Sequence, residues 1–127
     1  FGQYLKKINM ISIDREGGAS TMRAMLKKTR EKVLLGFSVI IFPEGTRKFP
    51  GEKPDYKSGF IGIYKEMKTE ILPIALNSGK YWPKNSFIKK PGNIIIKILP
   101  TLQSNLDRKD VLSKLEIKIE EATNKII

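Results

Sequence analysis

Short apolar runs are the first pattern visible along the chain, and each is bounded by glycine, proline or charged residues. Runs of about four to eight apolar or β-branched residues are typical of strands buried in a sheet. The sequence predicts four such strands, at 10–13, 37–42, 71–76 and 93–99. Pro73 lies inside the third strand. Because proline cannot donate a backbone hydrogen bond, it favours a sheet edge or a bulge there.

Apolar residues spaced three and four positions apart form a second pattern, which is typical of amphipathic helices. Three stripes of this kind occur among the predicted strands, at 22–33, 60–67 and 111–126. Ser20 is a candidate N-cap for the first stripe, and Gly36 is a candidate C-terminal stop. The sequence therefore predicts three helices, each with one face directed at a core.

The order of these elements is strand, helix, strand, long loop, helix, strand, irregular segment, strand, helix. Alternation of this kind predicts an α/β layered domain with a mainly parallel sheet flanked by helices. The long loop, residues 43–54, holds three prolines and two glycines. Long loops in a compact domain are often functional, so this loop is the first candidate position for a site.

Composition narrows the class of protein and of chemistry. The 127 residues suit one domain, and 24 basic against 13 acidic residues give a net charge of +11. This excess predicts an anionic partner: nucleic acid, a phosphate-bearing metabolite, an acidic carrier protein or an anionic membrane surface. The sequence has no cysteine and no histidine. That excludes disulfides, thiolate chemistry, the usual zinc sites and an imidazole base supplied by these residues, and no metal site is predicted.

Two stretches bear on a membrane. The longest apolar stretch, 33–42, is interrupted by Gly36 and Ser38 and is shorter than the roughly 20 residues that a spanning helix needs. The irregular segment 77–92 is basic and carries Tyr-Trp-Pro at 81–83. It is interpreted either as a contact with a lipid interface, where aromatics and lysines are favoured, or as a solvated loop.

Two predicted strands end in charged residues. Asp14 and Arg15 follow the first strand, and Arg47 closes a charged turn after the second. In open α/β sheets, ligands bind in the crevice beyond the carboxyl ends of the strands. Both arginines are predicted to converge there, because a guanidinium presents a rigid fork that suits a phosphate.

The turn between the second strand and Arg47 contains Glu44, Gly45 and Thr46. Gly45 would let a ligand approach the backbone closely, and the Thr46 hydroxyl and N–H add donors. Glu44 would repel a phosphate, so it is interpreted as orienting Arg47 or meeting a substrate hydroxyl. The alternative is that this segment is only a hydrophilic turn and that Arg15 is a solvated cap.

Four segments resemble the signature blocks of the glycerolipid acyltransferases, the lysophosphatidate acyltransferase family. FPEGTR at 42–47 resembles the third block, and ISIDR at 11–15 resembles the second. KSGF at 57–60 resembles the segment that follows the third block and opens a helix, and ILPIA at 71–75 resembles the fourth. Their order and spacing agree with the family across nearly the whole chain. Lys48 departs from the serine that is common in the family.

The first block of the family, His-x4-Asp, has no counterpart because the sequence contains no histidine. In the family its histidine is understood as the general base and its aspartate as the group that orients the imidazole. Either residues 1–127 are the distal part of a single acyltransferase domain, with the catalytic block absent, or the chain is a degenerate, inactive relative. The position of Phe1, directly ahead of the second block, favours the first interpretation.

The resemblance implies an O-acyltransferase of phospholipid biosynthesis. The intact enzyme would transfer a fatty acyl group from acyl-CoA or acyl carrier protein to the free hydroxyl of 1-acylglycerol-3-phosphate, giving phosphatidic acid. No covalent acyl-enzyme and no cofactor beyond the donor is required. The expected location is the cytoplasmic face of a bacterial inner membrane, on an anionic surface. The 127 residues alone are expected to be inactive.

The resemblance also implies the site. Arg47, with Arg15, would hold the acceptor phosphate, and none of the 127 residues is assigned a catalytic role. The predicted substrate-binding residues are Arg15, Glu44, Gly45, Thr46, Arg47, Gly59 and Pro73. Gly59 has the alternative of allowing close helix packing, and Pro73 that of a sheet-edge proline.

Two rival functions stay open at this point. One is a catalytically dead relative that associates with membranes. The other is a basic nucleic-acid-binding module, suggested by the charge of +11 and by aromatics among lysines. Such a module needs basic residues clustered on one face. The lysines are instead spread along the chain, so binding of nucleic acid is not predicted.

Overall fold

The computed structural model describes residues 10–11, 18–46, 48–49, 51–52 and 54–127. The chain divides into two compact units, Phe1–Ile41 and Phe42–Ile127. The predicted convergence of Arg15 and Arg47 concerns two residues that lie outside the described ranges, as do residues 12–13 of the first predicted strand.

The described part of the first unit is built around one helix, α1, Ala19–Leu34. The helix confirms the first predicted stripe, and it buries Met25 and Thr29. Its N-cap is Gly18, so the prediction of Ser20 is wrong. The helix begins earlier because the Gly18 carbonyl already accepts a hydrogen bond from the Thr21 N–H at 3.1 Å.

Residues 37–42 form no strand, and most of them are exposed, so the prediction of a strand covered on both faces is wrong. The physical reason is that a parallel strand takes its hydrogen bonds from strands distant in sequence. Among the described residues, no strand pairs with this segment. An apolar run therefore stays irregular when it has no partner.

Two helices of the second unit confirm the other two stripes. Helix α2, Gly59–Met67, buries Phe60, Ile61, Ile63 and Tyr64, and it ends before Lys68 in the left-handed conformation, with φ 47°. A longer helix, Arg108–Asn124, follows Asp107 near the end of the chain. Both helices contribute to the main core cluster, which contains Tyr56, Phe60, Ile61, Tyr64, Leu102, Val111 and Leu115.

A small antiparallel sheet lies between these helices in sequence. Strand β1, Ile74–Leu76, pairs with β2, Ile96–Ile98. A short helix, α3, Ser78–Tyr81, follows β1, and the long helix at the end of the chain is α4, Arg108–Asn124. The described residues thus combine helices with a two-stranded antiparallel sheet, and the mainly parallel sheet is not confirmed.

Asn77 is a buried polar residue that joins three segments of the second unit. Its Nδ2 donates to the Ile126 carbonyl at 2.9 Å and to the Asn93 carbonyl at 3.3 Å. Its Oδ1 accepts from the Ile95 N–H at 2.8 Å. The side chain therefore fixes the end of β1 to the approach to β2 and to the end of the chain.

Tyr64 plays a similar role between α2 and the segment that precedes α4. Its hydroxyl donates to the Gln103 carbonyl at 2.5 Å and accepts from the Leu106 N–H at 2.9 Å. The ring is buried in the main core cluster. One side chain thus satisfies two backbone groups that would otherwise lack partners near the core.

Candidate functional site

The site begins with a tight turn over residues 42–46, called the signature turn below. The Gly45 N–H donates to the Phe42 carbonyl at 3.0 Å, which closes the turn. Gly45 has φ +65°, in the left-handed region that favours glycine. The glycine is therefore needed for the shape of the turn, independently of any ligand.

The segment that opens α2 lies against the signature turn. The Lys57 N–H donates to the Pro43 carbonyl at 2.8 Å. The Lys57 side chain passes over Gly45, where an added Cβ would lie 3.4 Å from the lysine Cγ. Lys57 also pairs with Asp55, which lowers the pKa of the Asp55 carboxyl. The structure thus brings together two of the four family-like segments.

Lys84 is a further cation at the signature turn. Its Nζ donates to the Thr46 Oγ1 at 3.3 Å, across 38 positions of sequence. Sequence reasoning did not select it, because a lone lysine in a basic chain gives no signal of its own. The Lys84 ammonium and the Thr46 hydroxyl are chemically suited to an anion, whereas the Lys57 ammonium is paired with Asp55.

Glu44 is half-buried in the same turn. Burial raises the pKa of its carboxyl above the ordinary value of 4.5. The Glu120 carboxylate raises this pKa further, and Lys48 opposes the shift. A carboxyl that keeps its proton to higher pH repels a phosphate less and can donate a hydrogen bond.

Tyr56 connects the surroundings of Glu44 to helix α4. The ring is buried, and its hydroxyl donates to the Glu120 Oε1 at 3.0 Å, across 64 positions of sequence. Burial, and then the charge and hydrogen bond of Glu120, raise the pKa of the Tyr56 phenol well above its ordinary range. The phenol therefore stays neutral and holds Glu120 as a hydrogen-bond acceptor.

The structure describes five of the predicted substrate-binding residues. Glu44, Gly45 and Thr46 lie together in the signature turn, and Gly59 is the first residue of α2. Pro73 is fully buried, and its carbonyl accepts from the Leu99 N–H at 3.0 Å. Its proposed role toward a substrate stays a prediction, as do those of the two arginines outside the described ranges. Over the described residues, no group of three or more acidic side chains could hold a metal ion.

Comparison with known proteins decides the family. Residues 1–77 match the family described as Acyltransferase. The chain belongs to the acyltransferase family. This match confirms the resemblance of the signature segments. The elements α3, β2 and α4 lie beyond the matched residues.

Several relatives of this acyltransferase-family chain are named 1-acyl-sn-glycerol-3-phosphate acyltransferase. The protein of Pseudomonas aeruginosa is 32% identical over 120 residues, which cover 94% of this chain and 47% of the relative. That of Borreliella burgdorferi is 32% identical over 92% of this chain and 42% of its own length. That of Cocos nucifera is 32% identical over 83% of this chain and 34% of its own length. No solved structure matches.

The chain spans less than half the length of these relatives. Among the helices of the described residues, none is both long enough and apolar enough to cross a membrane.

Replacing Glu44 with glutamine should stabilise the protein increasingly as the pH rises above about 4.5. A carboxyl whose pKa is raised in the folded state contributes fully below its unfolded pKa, and the contribution is lost as the pH rises through the folded pKa. Glutamine does not ionise, so Glu44→Gln avoids this loss. Urea denaturation of both proteins, from acidic to neutral pH, measures the difference.

The same experiment in a Glu120→Gln background should give a smaller difference, because the Glu120 charge contributes to the raised pKa of Glu44. Glu121→Gln is the matched control, since Glu121 is exposed on the same helix. An equal effect of Glu44→Gln in the wild-type and the Glu120→Gln backgrounds would show that Glu120 does not act on Glu44.

Proposed function

We propose that the intact protein transfers a fatty acyl group from acyl-CoA or acyl carrier protein to the free hydroxyl of 1-acylglycerol-3-phosphate, giving phosphatidic acid. The observation that carries the proposal is the signature turn. Its Glu-Gly-Thr sequence resembles the family, and its Thr46 hydroxyl accepts a hydrogen bond from the Lys84 ammonium. Membership of the acyltransferase family and the names of the relatives support the reaction class.

The basic residues at and near the signature turn are assigned to binding the acceptor phosphate. Arg47 is assigned to it by resemblance, with Arg15, and Lys84 adds an ammonium at Thr46. Holding the phosphate positions the glycerol hydroxyl for attack on the thioester, and positioning supplies a large part of catalysis. The half-buried Glu44, with its raised pKa, is assigned to a substrate hydroxyl or to Arg47.

The base that takes the hydroxyl proton is assigned to a His-x4-Asp block outside these 127 residues, because they contain no histidine. The residues described here thus bind and orient the substrate, and the 127-residue chain alone should not transfer acyl groups. We assign the enzyme to the cytoplasmic face of a bacterial inner membrane, on an anionic lipid surface. The net charge of +11 supports that surface.

The test is an acyl-transfer assay with the full-length protein. Radiolabelled acyl-CoA and acyl carrier protein are each offered with 1-acylglycerol-3-phosphate, and with monoacylglycerol as the control that lacks the phosphate. Labelled phosphatidic acid from the first acceptor, with little product from the second, is expected. If neither donor supports transfer, the result would favour an inactive relative and would contradict the proposal.

Arg47→Ala in the full-length enzyme should raise the KM for the acceptor by about tenfold or more, because charge-assisted hydrogen bonds to the phosphate are lost. Arg47→Lys should restore this KM only in part, since a point charge does not reproduce the bidentate fork. Steady-state kinetics at saturating donor measure both variants. Unchanged acceptor kinetics in Arg47→Ala would remove the phosphate assignment.

A further inference from the structure

A stretch of 36 residues, 71–106, contains no aspartate and no glutamate. It carries five lysines, at positions 80, 84, 89, 90 and 97. All but its first seven residues lie beyond the part of the chain that matches the family. This stretch therefore carries a charge of +5 and has no carboxylate side chain that would oppose an anionic surface.

Within this stretch, residues 81–90 form a closed loop, called the basic loop below. The Lys90 N–H donates to the Tyr81 carbonyl at 2.9 Å and closes its base. Gly92 packs against the Tyr81 ring so closely that an added Cβ would lie 1.9 Å from a ring carbon. The two ends of the loop are therefore held together.

Hydrogen bonds within the loop also define its tip. The Ser86 Oγ accepts from the Ile88 N–H at 3.1 Å, and the Lys89 Nζ donates to the Ser86 carbonyl at 3.1 Å. Phe87 lies between these contacts and is fully exposed, and Ile88 is 75% exposed. Two adjacent large apolar side chains are thus presented to solvent at the end of an ordered loop, where an apolar phase would gain from burying them.

Aromatic and basic groups surround this tip. Trp82 is more than half exposed, and the Lys89 Nζ lies 4.6 Å from its ring centroid. Tryptophan is favoured at the boundary between lipid headgroups and acyl chains, and lysine is favoured near anionic headgroups. The composition of the tip therefore fits an anionic lipid surface.

The basic loop is joined to the signature turn by the Lys84 Nζ, which donates to the Thr46 Oγ1 at 3.3 Å. A membrane in contact with the loop would therefore lie beside the turn that receives the acceptor headgroup. If the function proposed above holds, a lipid substrate would reach the signature turn from that same surface.

We propose that the basic loop is an interfacial docking element, which inserts Phe87 and Ile88 into an anionic lipid surface and places the signature turn next to the headgroups. The role toward the acceptor rests on the function proposed above, whereas the insertion does not. Lipid is favoured over nucleic acid because Ile88 has no aromatic face on which a base could stack, and its side chain gains only from an apolar phase.

The test uses a fluorescent label at the tip of the full-length protein. Phe87→Cys introduces a thiol into a stretch of 127 residues that has none, any cysteine elsewhere being replaced, and it is labelled with a polarity-sensitive dye. Ile117→Cys is the matched control, because Ile117 is an exposed isoleucine on α4. Vesicles of phosphatidylcholine, with and without phosphatidylglycerol, are added, together with lipids that carry a quencher in the acyl chain.

At position 87, a blue shift and acyl-chain quenching are expected with the anionic vesicles and not with phosphatidylcholine alone, while the label at 117 stays in water. No shift at position 87, or equal shifts at both positions, would overturn the proposal. A shift with an oligonucleotide instead of vesicles, or one that depends only on protein concentration, would also overturn it by assigning the tip to nucleic acid or to a second copy.

The consequence for activity is tested with Phe87→Ser/Ile88→Ser. The KM for acceptor presented in anionic vesicles should rise by about tenfold, because burial of two large apolar side chains is lost, while the KM for a water-soluble short-chain acceptor is unchanged. An equal rise for both acceptors would contradict docking. If the wild type transfers to neither acceptor, the proposed function fails, and the fluorescence result still decides insertion.

Discussion

Replacing Asn77 with aspartate should destabilise the protein by about 3–5 kcal/mol, because it puts a carboxylate where two backbone carbonyls need a donor. Asn77 is only 2% exposed, and its Nδ2 donates to the carbonyls of Asn93 and Ile126. Aspartate has the same shape but no N–H group, so it loses both bonds and brings negative charge toward the two oxygens. Urea denaturation at neutral pH, followed by circular dichroism, measures the change.

A control variant and the pH dependence show whether the destabilisation arises from the buried position of Asn77. Asn93→Asp makes the same chemical change at a neighbouring exposed position, and it should cost little. The destabilisation in Asn77→Asp should also decrease as the pH falls, because a protonated carboxyl is uncharged and regains one donor. A cost for Asn77→Asp that resembles that for Asn93→Asp would mean that the three segments do not depend on this side chain.

Tyr64→Ala should cost about 3–5 kcal/mol of unfolding free energy, because it empties a large volume in the main core cluster. It also removes the hydroxyl that donates to the Gln103 carbonyl and accepts from the Leu106 N–H. Tyr64→Phe keeps the ring and removes only the hydroxyl, so its cost should be about 1–3 kcal/mol. Chemical denaturation of both variants separates the cavity from the hydrogen bonds.

The kinetic signature of these Tyr64 variants should differ from that of Arg47→Ala. Tyr64 lies in α2, which begins just after the segment that supports the signature turn. Loss of folded protein lowers the measured rate without a selective change in the acceptor KM. A selective rise in the acceptor KM in Tyr64→Phe would show instead that α2 sets the geometry of the site.

Three of the four described helices, α1, α2 and α4, could be predicted because the signal for a helix is local, whereas the four-residue α3 lies in the segment predicted to be irregular. Residues three and four apart share a helix face wherever the chain lies in the protein, so the stripes at 22–33, 60–67 and 111–126 were sufficient. The strands depend on partners far away in sequence. The run at 37–42 has strong β character, yet it is irregular, because no described strand supplies its hydrogen bonds.

The candidate site was predictable to a similar extent. A turn at this position follows from its proline and glycine, but Gly45 was assigned to the approach of a ligand and not to the positive φ that it adopts. Lys84, Tyr56 and Glu120 were missed, because the hydrogen bonds that bring them to the turn or its neighbours join residues 38 and 64 positions apart. The absence of acidic residues over 71–106 was a readable signal for the surroundings of Lys84, but not for its partner.

Helix α4 lies wholly beyond residue 77, where the match to the family ends. Yet Val111 and Leu115 of α4 complete the cluster that encloses Tyr56, Phe60 and Tyr64, and Glu120 accepts the hydrogen bond of Tyr56. A polypeptide cut at residue 77 would keep the signature segments and lose three of the seven buried residues of the main core cluster. The segment that matches the family and the hydrophobic core that packs against it therefore have different ends.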